Sequence, residues 1–159
     1  MIKKIVELEK LKKILPQIKK KKKILVGGCF DVFHYGHLLF LRKAKEQGDT
    51  LIIALESDDF IRQHKKREQV HTQKQRAEIL ASLEFVDFII LLPLLSSYDS
   101  YLNLVKLIKP KIIAVTKGDP LMREKKRQAK AVGAHISIVT SLAESFSTER
   151  ILTILQNEF

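Results

Sequence analysis

Two histidines separated by two residues stand at the start of a predicted helix, directly after a turn that contains glycine. His34 and His37 follow the pair Gly27-Gly28, and Gly36 lies between the histidines. Their spacing places both imidazoles about one helical turn apart, on the same side. Imidazole nitrogens can donate hydrogen bonds to phosphate oxygens, and glycine lets a phosphate approach the backbone at a helix N-terminus. The stretch therefore favours a site for the phosphates of a nucleotide.

Asp31 leaves two other interpretations of this stretch open. In the phosphate interpretation, Asp31 orients one of the histidines or caps the turn. The first alternative is that these residues serve packing or capping alone. Alternatively, Asp31, His34 and His37 can bind a divalent metal ion. The glycines fit neither GxGxxG nor GxxxxGK[ST], so the standard dinucleotide and P-loop sites are not supported.

The elements around this stretch predict an α/β fold. A short apolar run, Ile24 to Val26, predicts the first strand, and the helix from about Tyr35 to Gln47 is expected to end at Gly48 as a C-terminal cap. Four more apolar runs predict strands at 51–55, 86–91, 111–115 and 135–139. Because these runs are continuous and alternate with helices, we expect one Rossmann-like domain with a five-stranded, doubly wound parallel sheet flanked by helices.

Local signals place the remaining helices and one loop. Capping boxes at Thr72/Gln75 and Ser96/Asp99 open two helices, and Asp119-Pro120 caps a third that ends at Gly133. The charged stretch from Arg62 to His71 lacks core periodicity and predicts a surface loop. The last helix opens at Ser147. Its predicted buried side consists of Ile151, Leu152, Ile154 and Leu155.

The turns that follow the strands should meet at one edge of the sheet. In doubly wound sheets, ligands bind at the carboxyl ends of the strands, where the strand order reverses. Residues 28–37, 57–58, 118–119 and the turn at Ser147 all follow predicted strands. They are therefore expected to form one site.

The N-terminal 23 residues carry most of the positive charge. They contain ten lysines and two glutamates, a net charge of +8, which leaves +3 of the total +11 for residues 24–159. Apolar spacing over residues 2–18 predicts an amphipathic helix that Pro16 kinks or ends, followed by a lysine connection at 19–23. The expected division is therefore a basic N-terminal helix with its connection, 1–23, and the α/β domain, 24–159.

Composition excludes several classes of protein. No apolar run approaches the roughly 20 residues of a membrane span, and the N-terminus does not fit a secretory signal. With the single cysteine Cys29, no intrachain disulfide can form. A nearly neutral body and a basic segment without aromatic residues disfavour nucleic acid as a partner. A cytoplasmic protein is expected.

The stretch Gly28–His37 also resembles a family signature. Its letters, GCFDVFHYGH, are similar to the GxFDxxHxGH signature of the cytidylyltransferase-like nucleotidyltransferase superfamily. Weaker likenesses follow in the family's order, at Glu56-Ser57-Asp58, Gln75-Arg76 with Leu80–Asp87, Gly118-Asp119 and Ser147-Thr148. The chain is most similar to heptose 1-phosphate adenylyltransferase modules and to glycerol-3-phosphate cytidylyltransferases.

The resemblance implies transfer of a nucleoside monophosphate from ATP or CTP to a phosphorylated sugar or polyol, with release of pyrophosphate. It implies that His34 and His37 stabilise the transition state, that Lys65 or Lys66 reaches the phosphates, and that Arg76 binds phosphate oxygens. Magnesium would arrive with the nucleotide, and a homodimer is the family habit. The implied nucleotide-binding residues are Gly28, Cys29, Phe30, Asp31, Gly36, Gly118, Asp119, Ser147 and Thr148.

Purely structural or surface roles are alternatives for four of these residues. Arg76 can be a surface ion-pair partner, Lys65 can be merely solvated, and Asp119 and Ser147 can be helix caps only. The stretch 142–149 lacks the arginine that begins the cytidylyltransferase form of the C-terminal motif, as the heptose-type enzymes do, which favours ATP. Ser145 and Glu149 depart from the family pattern as well, and together with the altered turn at 116–120 they leave the acceptor open. FAD synthase and phosphopantetheine adenylyltransferase activities are alternatives, and so is a non-catalytic nucleotide-binding module that acts through its basic segment.

Overall fold

A six-stranded parallel sheet forms the centre of the computed structural model, which describes residues 3–141 and 147–158. The strands run in the order β1-β4-β3-β2-β5-β6, and all neighbours are parallel. The parallel, doubly wound sheet expected from the sequence is confirmed, with six strands instead of five. Their bounds are Ile5–Glu7 (β1), Lys23–Gly28 (β2), Thr50–Leu55 (β3), Phe88–Leu91 (β4), Ile112–Lys117 (β5) and His135–Ser141 (β6).

The additional strand lies where the sequence predicts the start of a helix. Within the expected helix 2–18, residues 5–7 form β1 and pair with Ile89, Ile90 and Leu91 at the edge of β4. Three short helical pieces follow, a 3₁₀ turn Leu8–Lys10, α1 Leu11–Ile14 and a 3₁₀ turn Leu15–Ile18. Because Val6, Leu11 and Ile18 are buried in the same core as the sheet, this basic segment is packed against the domain.

Helices cover both faces of the sheet, as expected. Residues of α2 and α4 share one core cluster, and residues of α5 and α6 share the other. The helix bounds are Tyr35–Lys45 (α2), Asp58–Phe60 (α3), Gln73–Ala81 (α4), Tyr98–Ile108 (α5), Met122–Val132 (α6) and Thr148–Glu158 (α7). No helix in the described ranges is long and apolar enough to span a membrane.

Two local expectations about helix ends are corrected. The first part of the stretch 62–71 is helical, because α3 continues as a π-helical turn, Ile61–Lys65, and Ile61 is fully buried. The helix before Gly48 ends at Lys45. A Cβ atom at Gly48 would lie 2.7 Å from the carbonyl oxygen of Lys22. The close approach of these two segments therefore requires glycine there.

The caps show a similar mixture of agreement and correction. The capping box of Thr72 and Gln75 is present at α4. At α5, however, Ser97 and not Ser96 is the cap, with its hydroxyl accepting from the Ser100 amide at 3.2 Å. In α7, Ile151 and Leu152 are partly buried, whereas Ile154 and Leu155 are about half exposed. The predicted buried side of this last helix is therefore wrong in its second half.

A crevice begins where the strand order reverses. β2 pairs with β3 along six residues but with β5 only through Ile24–Ile112 and Leu25–Ile113. The carboxyl-terminal halves of β2 and β5 are therefore not paired with each other. In parallel α/β sheets this is the position at which ligands bind.

Candidate active site

The turn between β2 and α2 is strained at two positions. Phe30 and Val32 have φ angles of 50° and 53°, in the left-handed region. For a branched residue such as Val32 this conformation costs on the order of 1–3 kcal/mol. The Phe30 ring also covers Gly28, where an added Cβ would lie 3.0 Å from a ring carbon. Strain of this kind persists only where surrounding contacts hold the turn in place.

Asp31 provides those contacts. Its buried carboxylate accepts hydrogen bonds from Arg67 Nη1 at 2.7 Å and from the amides of Val70 and His71 at 2.9 and 3.0 Å. Burial favours the neutral carboxyl, but these hydrogen bonds outweigh it and hold the pKa of Asp31 below its usual range. The backbone carbonyl of Asp31 accepts from Thr148 Oγ1 at 3.0 Å. Asp31 therefore ties the turn to residues 67–71 and to α7.

The metal interpretation of Asp31, His34 and His37 finds no support in this geometry. The Asp31 oxygens are used by the donors of the segment 67–71. Within residues 3–141 and 147–158, no group of three His, Cys, Asp or Glu side chains is arranged to hold a metal ion.

His34 is the N-terminal cap of α2. Its Nδ1 accepts a hydrogen bond from the Gly36 amide at 3.1 Å. A nitrogen that accepts carries no proton, so the neutral ring has its proton on Nε2. Burial lowers the pKa of His34, which keeps the ring neutral near pH 7. Nε2–H is then a fixed donor at the start of the helix.

His37 stacks directly on His34. The ring centroids are 3.8 Å apart with 23° between the planes, and Phe30 and Phe33 lie at 5.1 and 5.6 Å. Burial, with a further contribution from His34, lowers the pKa of His37 to about 3, although Asp31 opposes the shift. Its buried Nδ1 has no hydrogen-bond partner among the described residues. The structure thus brings the two histidines together as a stacked, neutral pair.

Lys65 ends the π-helical turn and acts electrostatically on Cys29. Burial raises the pKa of the Cys29 thiol to about 11, and the positive charge of Lys65 is the largest influence opposing that rise. A neutral thiol of this kind is a poor nucleophile. Lys66 has a φ of 56°. Of the two lysines proposed from the sequence, Lys65 is the one whose charge is seen to act on the turn residue Cys29.

Arg76 is the site residue whose predicted role the structure does not support. Its side chain is fully buried. Nη1 donates to the carbonyls of Cys29 and Glu56 at 2.6 and 2.9 Å, Nε donates to the His71 carbonyl at 3.1 Å, and Nη2 pairs with Asp58 at 2.7 Å. A guanidinium engaged in this way has no free edge for a phosphate fork. Arg76 instead positions the turns that follow β2 and β3.

The remaining predicted residues fall on two other turns. Gly118, with φ of 78°, follows β5, and Asp119 pairs with Lys125 at 2.6 Å while accepting from the Leu121 amide at 2.8 Å. Asp119 therefore holds the turn before α6, which begins at Met122 and has Leu121 at its cap position.

The turn before α7 contains the last two predicted residues. Ser147 caps α7 by accepting from the Arg150 amide at 3.1 Å, and Thr148 contacts Asp31 as described above. Ser145, the departure noted in the C-terminal motif, lies outside the described residues.

Three residues in this region are not among the site residues predicted from the sequence: Arg67, Glu56 and Tyr101. Arg67 supplies the ion pair to Asp31. Glu56, directly after β3, is 7% exposed and accepts from the Tyr101 hydroxyl at 2.9 Å. For Glu56, the available signal is a carboxylate placed directly after the apolar run 51–55.

Comparison with known proteins identifies the family. A sequence model of the family described as "Cytidylyltransferase-like" matches residues 25–153, which run from within β2 to the middle of α7. The chain belongs to the cytidylyltransferase-like family. This family of nucleotidyltransferases is the one that the Gly28–His37 signature resembles.

Two kinds of curated relatives show this membership. The bifunctional protein HldE of Helicobacter hepaticus is 36% identical over 156 residues, which are 96% of this chain and 30% of HldE. The FAD synthase of Pyrococcus horikoshii is 31% identical over 121 residues, which are 76% of this chain and 80% of that enzyme. The chain thus spans about a third of the HldE relatives and most of the FAD synthase.

Two solved structures share the fold of this cytidylyltransferase-like chain. A lipopolysaccharide core biosynthesis protein from Thermoplasma volcanium gives a TM-score of 0.62 at 23% identity, with 76% of this chain and 96% of that chain covered. The pantoate-beta-alanine ligase of Francisella tularensis gives 0.67 at 16% identity, with 96% and 76% covered. At these identities the likeness concerns the fold alone.

The buried histidine predicts a specific acid sensitivity of folding. The pKa of His37 is about 3 in the folded chain and roughly 6.5 when unfolded. Protonation therefore favours the unfolded state, so stability is full above pH 6.5 and falls below it. In His37→Asn this loss is absent, and the stability difference from wild type should shift by about 2 kcal/mol between pH 7.5 and pH 5. Urea unfolding at both pH values measures the shift.

Leu41→Ala is the matched control, because it removes buried side-chain volume from the same helix without removing a titratable group. Its difference from wild type should stay constant over this pH range. An equal pH shift in both variants would contradict the assignment to His37.

The contacts of Arg76 predict a structural consequence of a conservative change. Lysine cannot reach three carbonyls and one carboxylate together, so Arg76→Lys should lower the free energy of unfolding by about 3 kcal/mol, as for a broken buried ion pair. Arg123→Lys, on the exposed side of α6, is the control and should leave the unfolding midpoint unchanged. Wild-type stability in Arg76→Lys would show that the network is dispensable.

Proposed function

We propose that this chain is an adenylyltransferase that transfers AMP from ATP to the phosphate of a small phosphorylated acceptor and releases pyrophosphate. The stacked, neutral pair of His34 and His37 at the start of α2, beside the crevice between β2 and β5, is the observation that carries the proposal. The HldE and FAD synthase relatives support ATP as the nucleotide. A sugar or polyol phosphate is the first candidate acceptor.

The reaction needs positioning and charge stabilisation from the protein. An oxygen of the acceptor phosphate attacks the α-phosphorus of ATP, the bond from that phosphorus to its bridging oxygen breaks, and pyrophosphate leaves with the bond electrons. The Nε2–H of His34 and the ring of His37 supply donors to the phosphate oxygens that gain charge. The N-terminus of α2 adds a favourable field, and Lys65 supplies positive charge to the leaving pyrophosphate.

Magnesium enters the site as part of the nucleotide. Mg²⁺ keeps several waters and binds substrate phosphates together with few protein groups. The described residues fit this arrangement, because they offer donors to phosphate and no cluster of carboxylates around a cation. When bound, the ion would neutralise charge on the triphosphate.

FMN is the second candidate acceptor, and the FAD synthase of Pyrococcus horikoshii is the observation that favours it. FMN carries a terminal phosphate on a polyol chain, so the same attack on the α-phosphorus would yield FAD. The active-site arrangement of this chain serves either acceptor, and a direct assay separates them.

The test is pyrophosphate release with ATP or CTP and mannose 1-phosphate, glycerol 3-phosphate or FMN. We expect turnover with ATP and at least one acceptor, and His37→Ala should lower kcat by roughly 10²–10³, as for loss of one transition-state donor. His135→Ala, at the amino end of β6, is the matched control and should retain full activity. Absence of turnover across the panel, or equal rates in both variants, would count against the proposal.

The two adjacent lysines give a sharper prediction. Lys65→Gln removes the charge near the turn and should lower kcat/KM for ATP about tenfold or more, since charge-assisted contacts to phosphate are lost. Lys66→Gln removes an equal charge from the next residue and should change kcat/KM by less than about threefold, as for a solvated surface charge. Steady-state kinetics with varied ATP measures both. The reverse order of effects would assign the phosphate contact to Lys66.

A further inference from the structure

Glu56 is a buried carboxyl group with an unused oxygen. Its side chain is 7% exposed, and Oε1 accepts from the Tyr101 hydroxyl at 2.9 Å. Oε2 is buried and has no hydrogen-bond partner within the described part of the chain. An unpaired buried carboxylate oxygen carries a desolvation penalty. Such a group is retained at a site where a ligand supplies the missing partner.

Glu56 lies at the same edge of the sheet as the histidines. Its amide donates to the Gly28 carbonyl at 3.0 Å, and Arg76 Nη1 bridges the carbonyls of Glu56 and Cys29. Glu56 also raises the pKa of the Cys29 thiol, so the two side chains are in electrostatic contact. The carboxyl is therefore next to the turn that carries the signature.

The two faces of the sheet separate Glu56 from the histidines. Ile52 and Ala54 of β3 share a core cluster with α5 and α6, and alternation along the strand places Glu56 on that face. The contact with Tyr101 of α5 agrees with this placement. His34 and His37 belong to α2, which covers the opposite face. At the carboxyl edge of the sheet, Glu56 therefore lies on the face covered by α5 and α6, opposite the face from which His34 and His37 would contact phosphate.

The position of Glu56 along the sheet points to the acceptor. The crevice divides the sheet into a half with β2, β3 and β4 and a half with β5 and β6. Glu56 follows β3, and Tyr101 lies on the helix after β4. Gly118 and Asp119, the residues expected to contact base and ribose, follow β5 on the other side. If the nucleotide occupies the β5 half, the half with Glu56 is left for the acceptor.

We propose that Glu56, held by Tyr101, is a specificity-determining residue that recognises a hydroxyl group of the acceptor. The inference rests on the proposed function and assigns a recognition residue for its second substrate. Burial raises the pKa of Glu56 to about 7, opposed by the Tyr101 hydrogen bond and by the charges of Lys125 and Arg76. A hydroxyl can donate to the ionised carboxylate or accept from the neutral acid, so it suits both forms.

The test measures binding by calorimetry with the full chain saturated by a non-hydrolysable ATP analogue. Two pairs of probes are compared. Glycerol 3-phosphate and 1-propyl phosphate differ only in hydroxyl groups, whereas mannose 1-phosphate and cyclohexyl phosphate differ in hydroxyl groups and also in the ring oxygen and the hydroxymethyl carbon. Wild type should bind the hydroxylated member of at least one pair about tenfold or more tightly. In Glu56→Ala this preference should disappear, while Glu56→Gln should retain part of it through its amide.

Three controls make the outcome decisive. The affinity for the ATP analogue should be equal in wild type and Glu56→Ala, and Glu78→Ala, an exposed change on α4, should leave the probe preference intact. Tyr101→Phe should weaken the preference without abolishing it, because Oε2 remains. Circular dichroism at each step verifies folding of the variants.

The outcomes that overturn the inference are distinct from failure of the proposed function. No hydroxyl preference in wild type, an unchanged preference in Glu56→Ala, or a loss of analogue affinity in that variant would each overturn it. The last result would assign Glu56 to the nucleotide. Failure of the proposed function appears separately, as absence of pyrophosphate release from acceptors that bind.

Discussion

The buried guanidinium of Arg76 is the constraint on which the carboxyl edge of this sheet depends. A charge without solvent must be met by acceptors from every side, and here the chain supplies the carbonyls of Cys29, Glu56 and His71 with the carboxylate of Asp58. These groups belong to the turns after β2 and β3 and to the loop before α4. Satisfying one residue therefore fixes the relative positions of three segments that are distant in sequence.

The turn between β2 and α2, which follows one of these segments, keeps its strained backbone through contacts of its own. Phe30 and Val32 stay in the left-handed region because Asp31, between them, is held by three donors from residues 67–71 and by Thr148 of α7. The same turn places His34 at the cap position of α2, where the His37 ring stacks on it. The buried charges of Arg76 and Asp31 thus fix the backbone of the turn, and that backbone positions the imidazoles of the two histidines.

Periodicity and local motifs were sufficient for the main fold, and they failed where distant contacts decide. The apolar strands, the capping box of Thr72 and the pairing of the two histidines are local properties, and each was predicted. Residues 5–7 lie in a stretch with helical apolar spacing, yet they form a strand because they pair with the edge of β4. The burial of Arg76 and the orphaned oxygen of Glu56 depend on several segments at once. No single stretch of sequence encodes them, so a surface or phosphate-binding role was the natural prediction for the arginine.

The neutrality of the histidine pair has a consequence for catalysis. Both substrates of the proposed reaction bring phosphate groups, and pyrophosphate leaves as a further anion. A strongly cationic site would bind the triphosphate and the product as firmly as the transition state, and uniform binding of this kind does not raise kcat. A neutral imidazole that donates, as His34 does through Nε2–H, interacts more strongly as charge develops on the phosphate oxygens. Burial against Phe30 and Phe33 keeps His37 in that neutral form, so the packing of two aromatic rings would contribute to the proposed chemistry.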